Sequence, residues 1–212
     1  MLYLLTIFGL STACTIDLTL YPELHFLEKH KNGILSDLNI AIGRKWFELP
    51  PNPPEFYQML YDAEQHGVEK TRFALDSIQS HLNADPDHPA WKAYPLMFHG
   101  KWAYYSRGLT RMVDLLESIP GIKHAGFSCF EPGAIAKFHV DANPDTYRFH
   151  FPLIIPEGDC RFEAGGVVYA FDQPRLFDDG CRHRAWNKTP KNRFLLILDM
   201  YRKGHQIAGT CT

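Results

Sequence analysis

An imidazole and a carboxylate stand two residues apart in Phe138-His139-Val140-Asp141, and a second imidazole, His183, follows the turn Phe177-Asp178-Asp179-Gly180. Side chains alternate along an extended chain, so His139 and Asp141 share one face and Phe138 and Val140 the other. Two imidazoles and one carboxylate hold a divalent first-row metal on three positions and leave the rest open, which suits oxygen activation with a bidentate cosubstrate. The same trio binds zinc with an open position, so a zinc-dependent hydrolase stays open as an alternative. Alone, the His-x-Asp spacing says little in a chain of eleven histidines, because a surface histidine beside a solvated aspartate is spelled the same way.

Arg193 adds context. It opens the otherwise apolar run Phe194-Leu195-Leu196-Ile197-Leu198, ten residues after His183. Burying its stem there is costly unless an anion meets it. A cosubstrate carboxylate is such an anion, gripped by the guanidinium fork; a strand-end arginine reaching back to solvent is the competing account. In Tyr147-Arg148-Phe149-His150-Phe151, Arg148 and His150 share a face in the same manner. One face of the sheet thus carries polar groups between apolar flanks.

The elements that must position these groups change character near residue 120. Before it, Leu24, Leu27, Ile34, Leu35, Leu38 and Ile42 recur at helical spacing, with Pro22 suited to a first turn and Gly43 to an end. Helices are also predicted over 56–63 and 68–82, a loop over 83–89, and a last helix over 111–118 with Thr110 as its cap. After Gly121 the period becomes two, in short runs at 126–130, 136–141, 146–155, 160–164, 166–171, 175–177, 182–187 and 193–201, which fits a jelly-roll. Tyr147, Phe149 and Trp186 are candidates for a dry wall around the chemistry, although aromatic residues at strand spacing more often fill a core.

At 212 residues the chain suits one domain, with an apolar segment at 1–15, a mostly helical support at 16–120 and a β core at 121–205. Lys and Arg total 22 against 24 Asp and Glu, so no global positive field draws it to nucleic acid. Five scattered cysteines without a C-x-x-C pair argue against a disulfide framework and for a reducing, cytoplasmic setting. Residues 1–14 are apolar, yet lack a preceding Lys or Arg and fall short of the roughly 20 residues of a membrane span. A packed N-terminal element is expected there, with weak membrane contact as the alternative.

The motifs together resemble the aspartyl/asparaginyl β-hydroxylase family of Fe(II)- and 2-oxoglutarate-dependent dioxygenases, including its lipid A acyl-chain hydroxylase branch. The resemblance spans residues 21–201 and is strongest in Leu115-Leu116-Glu117-Ser118-Ile119-Pro120-Gly121, Phe127-Ser128, Glu131-Pro132-Gly133, His139-Val140-Asp141 and Tyr147 to His150. It continues through Phe177-Asp178-Asp179, His183, Trp186 and Arg193, with Tyr21-Pro22-Glu23-Leu24 and Trp91 with Tyr94-Pro95-Leu96 as N-terminal landmarks; 52–89 matches nothing.

The resemblance implies a mainly β, α+β fold: a double-stranded β-helix (jelly-roll, cupin-like) packed by N-terminal helices. It implies iron at His139, Asp141 and His183, 2-oxoglutarate at Arg193 aided by Ser128, and His150 and Arg148 near the proximal carboxylate and the substrate. O2 is the further cosubstrate. Leu195 departs from the many relatives that place Ser or Thr two residues after the arginine, so Ser128 or another group must supply that hydroxyl. Small-molecule, peptide or acyl-chain substrates all fit, and Arg148, Arg182 and Arg184 suggest an anionic one. A non-catalytic jelly-roll binding module is the second alternative; oligomeric state is not readable.

Overall fold

The computed structural model describes residues 14–44, 46–49, 91–141 and 144–204. The helices expected at 56–63 and 68–82, the loop at 83–89 and all of 1–13 lie outside the described residues.

Among the described residues twelve strands form two antiparallel sheets. The larger contains β1 (Thr15–Ile16), β2 (Phe47–Leu49), β3 (Trp91–Phe98), β4 (Lys101–Trp102), β5 (Ile122–Phe130), β7 (Thr146–Ile154), β10 (Arg175–Phe177) and β12 (Arg193–Tyr201), in the order β1-β10-β7-β12-β5-β3-β2 with β4 on β3. The smaller contains β6 (Ile135–His139), β8 (Cys160–Ala164), β9 (Val167–Ala170) and β11 (His183–Asn187), in the order β6-β11-β8-β9. This is a jelly-roll, and each strand expected after residue 121 is present to within a few residues.

The period-two pattern divides the core. From β12, Phe194, Leu196, Leu198 and Met200 join Phe127 of β5 and Phe149 and Phe151 of β7 in one apolar cluster. The alternate residue Leu195 joins Phe130, Phe162 and Phe177 in a second cluster, with Ile197 packed against it. Helices cover the first cluster; the small sheet covers the second. Burying each such Phe or Leu contributes about 1.5–3 kcal/mol, so both faces of β12 are committed to packing and its register is fixed.

Helical spacing from Leu24 to Ile42 yields a 3-10 turn at Pro22–His25, α1 (Phe26–Lys29) and α2 (Lys31–Ile42), interrupted at His30 where φ is -103° and ψ 6°. Leu27, Ile34, Leu38 and Ala41 face the large sheet. In α3 (Thr110–Glu117) the expected cap, Thr110, is instead the first helical residue, and no side chain of its own segment caps the helix. Asp37 of α2, fully buried, accepts from the Met112 N–H at 2.9 Å. A carboxylate there satisfies an orphan donor and complements the helix dipole.

The stretch 16–120, expected as mostly helical, also contributes β3, an eight-residue strand bonded to β5. Pro95 in its middle disguised it, since proline cannot donate to a ladder. The structure tolerates Pro95 because a register shift follows it, and because β2 pairs only with Trp91 to Ala93 while β4 pairs only with Met97 and Phe98.

The expectation of no disulfide is also corrected: Cys14 bonds to Cys181. Their separation of 167 residues leaves no trace in local spacing. Pairing of Thr15 with Phe177 brings Cys14 to the turn, where Gly165, at φ +57°, leaves room that a Cβ would fill. Cys129 and Cys160 are free and buried. Among the described residues no helix is long and apolar enough to cross a membrane.

Candidate metal centre

His139 and His183 are directly opposed on the neighbouring strands β6 and β11, with ring centroids 4.2 Å apart. Asp141 completes the group: one ligand atom from each of the three residues lies within 4.8 Å of the others. The alternation that put His139 and Asp141 on one face holds, but with the reverse of the usual sense. Phe138 and Val140 are 37% and 56% exposed, while the polar pair turns inward.

Each imidazole is oriented from behind. Lys137 O lies 2.6 Å from His139 Nδ1 and Cys181 O lies 2.8 Å from His183 Nδ1. A carbonyl accepts only from a protonated nitrogen, so Nε2 of both rings keeps its lone pair for a metal. Burial pushes His183 down to about 4, so it is neutral at pH 7. The Asp141 N–H donates to Asp179 O at 3.0 Å, and Asp141 Oδ1 stands 3.9 Å from His139 Nε2. The donor set and its tautomers fit a divalent ion.

The other Asp141 oxygen is ion-paired with Arg148 Nη1. Arg148 also donates from Nε to Asp199 Oδ1 at 2.8 Å and from Nη2 to Asp199 Oδ2 at 3.2 Å, and Asp179 Oδ2 lies 3.4 Å from Nη2. Burial alone would lower this guanidinium; Asp199, Asp141 and Asp179 outweigh it and hold it well above its ordinary value. Arg148, expected near the cosubstrate carboxylate, is thus engaged by three carboxylates, one of them the candidate ligand. Asp199 was not singled out in the sequence, and Asp179 only as part of the turn before His183, with no role of its own. Asp199 carried a signal: in β12 it falls in phase with Arg193, an acid in an apolar strand.

Arg193 is 1% exposed and makes no ion pair among the described residues. Its Nη2 donates to Ser128 Oγ at 3.1 Å, its Nε has no hydrogen-bond partner, and its guanidinium carbon lies 3.9 Å from the Phe130 ring centroid. Burial pushes it down to about 10. Ser128 stands directly across from Leu195 in the β12–β5 register, so the hydroxyl missing at Leu195 comes from the adjacent strand. Trp91 Nε1 donates to the same Oγ at 3.1 Å.

His150 is buried among Phe162, Phe171 and Phe177, and burial, then Arg193 and Arg148, pushes it well below its ordinary value. Its Nδ1 has no hydrogen-bond partner. His139, His183, Arg193, Ser128 and His150 all line one cavity, walled by Trp91, Phe130, Phe162 and Ile197. The expected dry wall is therefore elsewhere. Phe149 and Tyr147 pack on the helical side, and Trp186 bonds Asp159 on the outer face of the small sheet. A second cavity shares Trp91, Ser128, Arg148 and Ile197 with the first and continues past Tyr94, Pro95, Phe98 and Phe127 to His124.

A jelly-roll with two histidines and a carboxylate converging inside it offers a donor set that fits a divalent metal. A model of the aspartyl/asparaginyl beta-hydroxylase family matches residues 55–203, and the chain belongs to that family. The match leaves out the landmarks at Tyr21 to Leu24 and takes in 55–89, where no motif was legible. An ornithine lipid ester-linked acyl 2-hydroxylase of Rhizobium tropici is 32% identical over 121 residues, which are 51% of this chain and 41% of that protein. This chain thus spans about two-fifths of its relative's length. Among solved structures, an oxidoreductase of the 2OG-Fe(II) oxygenase family from Burkholderia pseudomallei is 14% identical, with a TM-score of 0.40 over 74% of this chain and 95% of that one. A cupin 2 conserved barrel protein from Salinispora arenicola CNS-205 is 13% identical, with a TM-score of 0.34 over 54% and 77%.

Proposed function

We propose that this protein is an Fe(II)- and 2-oxoglutarate-dependent dioxygenase that hydroxylates an unactivated C–H bond. The observation that carries the reading is Arg193: a buried guanidinium without a counter-ion among the described residues, in the cavity lined by His139 and His183. A zinc-dependent hydrolase gives that charge no role, the intact group of His139, Asp141 and His183 counts against a plain binding module, and a dicarboxylate cosubstrate supplies the missing anion.

When bound, iron and 2-oxoglutarate with O2 supply the oxidant, releasing succinate and CO2. The chain's own residues do the rest. His139 and His183 offer Nε2 and Asp141 offers Oδ1, while Arg148 occupies the second Asp141 oxygen and leaves one oxygen for the metal. Arg193 and Ser128 receive the distal carboxylate. His150, neutral at pH 7, gives a hydrogen bond near the proximal carboxylate without adding charge. Trp91, Phe130 and Phe162 exclude water, which strengthens each of these contacts.

The second cavity favours an acyl chain over a polar side chain as substrate, because most of its wall is apolar and it adjoins the metal cavity. The lipid-acyl 2-hydroxylase relative agrees with that choice. The test is an anaerobic titration of metal-free protein with Fe(II) and then 2-oxoglutarate, following the visible charge-transfer band. A band in wild type that is lost in Arg193→Met supports the assignment. No band in iron-loaded wild type returns the zinc hydrolase and the binding module to the front.

A further inference from the structure

The strand that carries His139 and Asp141 turns apolar side chains outward, onto the exposed face of the small sheet. Ile135, Phe138, Val140 and Val168 are 53%, 37%, 56% and 53% exposed. They are not scattered. Ile135 is the cross-strand partner of Trp186, Trp186 of Arg161, Arg184 of Glu163, and Glu163 of Val168. The guanidinium carbons of Arg182 and Arg184 lie 4.1 and 4.3 Å from the Phe138 ring centroid, and Lys188 lies 5.7 Å from that of Trp186.

Arg182, expected from the sequence to face an anionic substrate, stands on this outer face and makes no ion pair among the described residues. Arg184 is paired with Glu163 and Lys188 with Asp159. Arg161 and Lys137 add further positive charge, so this one face is basic in a chain of net charge -2. Apolar side chains framed by arginine and lysine are the composition of a surface that enters the headgroup layer of an anionic bilayer.

We propose that the outer face of the small sheet docks on anionic membrane lipid, with Phe138, Val140 and Ile135 entering the headgroup region and Arg182, Arg184, Arg161 and Lys188 meeting the phosphates. The proposal rests on the acyl-chain reading of the active site, for it places the ligand strand β6 at the surface from which such a substrate must be drawn.

The test is cosedimentation of the full chain with phosphatidylcholine vesicles and with phosphatidylcholine/phosphatidylglycerol vesicles. Expected is at least tenfold stronger binding to the anionic vesicles, weakened by salt because the attraction is screened. Phe138→Ser with Val140→Ser should reduce it by tenfold or more. Arg161→Gln and Lys188→Gln, both away from the metal ligands, should each cost about fivefold, matching about 1 kcal/mol per basic residue. Equal binding to both vesicle types, no binding, or wild-type binding by all the variants overturns the proposal. So does a dimer in solution that the variants dissolve without any vesicle binding, which assigns the face to a second copy of the chain. The charge-transfer band is recorded on the same samples: its absence in vesicle-binding wild type overturns the enzymatic reading alone.

Discussion

Replacing Arg193 with methionine should stabilise the protein without its cosubstrate and abolish its response to 2-oxoglutarate. Burial pushes the guanidinium down from its higher ordinary value to about 10. At 1.36 kcal/mol per unit, holding it charged costs the fold about 3 kcal/mol at neutral pH. Because this is a base whose folded value lies below its unfolded one, the cost is fully present below about pH 10 and is relieved as pH rises above it. Methionine also forfeits the Ser128 hydrogen bond and the Phe130 stacking, together about 2 kcal/mol. A net gain of about 1 kcal/mol in urea denaturation is expected. With 2-oxoglutarate at 100 times its Kd, wild type should gain about 2.7 kcal/mol and the variant nothing. A variant destabilised by more than about 2 kcal/mol that still gains from the cosubstrate would refute the assignment of an anion site.

Asp199→Asn leaves Arg148 one charge short and loosens Asp141; Fe(II) affinity should fall about 10- to 100-fold while the fold survives, as read by titration and melting. Unchanged affinity would mean that Arg148 does not position the ligand. Reduction of the Cys14–Cys181 disulfide should cost about 2–4 kcal/mol and weaken metal binding, since Cys181 O orients His183; melting with and without a dithiol, then metal titration, measures both. Asp37→Ala should cost about 1–2 kcal/mol through the uncapped helix α3 and leave the charge-transfer band intact. His124 is held at about 4, chiefly by burial. From an unfolded value of 6.5 the unfolded chain takes up the proton first, so stability should fall by about 3 kcal/mol as pH drops from 6.5 to 4. His124→Gln should flatten that slope in denaturation curves taken across the window.

Much of the β core was legible because alternation is a local property. The runs at 160–164, 175–177 and 193–201 coincide with β8, β10 and β12, and the same period placed Arg148 and His150 on one face. What escaped depends on distance in the chain. Asp37 capping α3 across 75 residues, Cys14 reaching Cys181, and the three carboxylates around Arg148 are set by tertiary packing. Trp91 was recognised only as a landmark, since its indole acquires a role only when β3 is laid beside β5. Leu195 shows both limits in one place. The sequence exposed the missing hydroxyl, and only the strand register could show that Ser128 stands opposite to supply it.

The ligand strand breaks the rule that made the other strands readable. In β12 apolar residues face inward on both sides, whereas at the end of β6 and in the two residues after it His139 and Asp141 are turned in and Phe138 and Val140 are turned out. Hydrophobic burial alone would favour the opposite facing, one residue out of register. The observed facing therefore has to be held by something stronger. Candidates are present on the inner side: the pairing of His139 with His183, the Asp141 N–H on Asp179 O, and the Arg148 ion pair. A divalent metal would hold that facing more firmly than any of these, because free energy of ligation is free energy of folding. The site and the exposed apolar face are thus two consequences of one choice of register. A chain that must expose Phe138 to place His139 gains from any surface that covers that ring again.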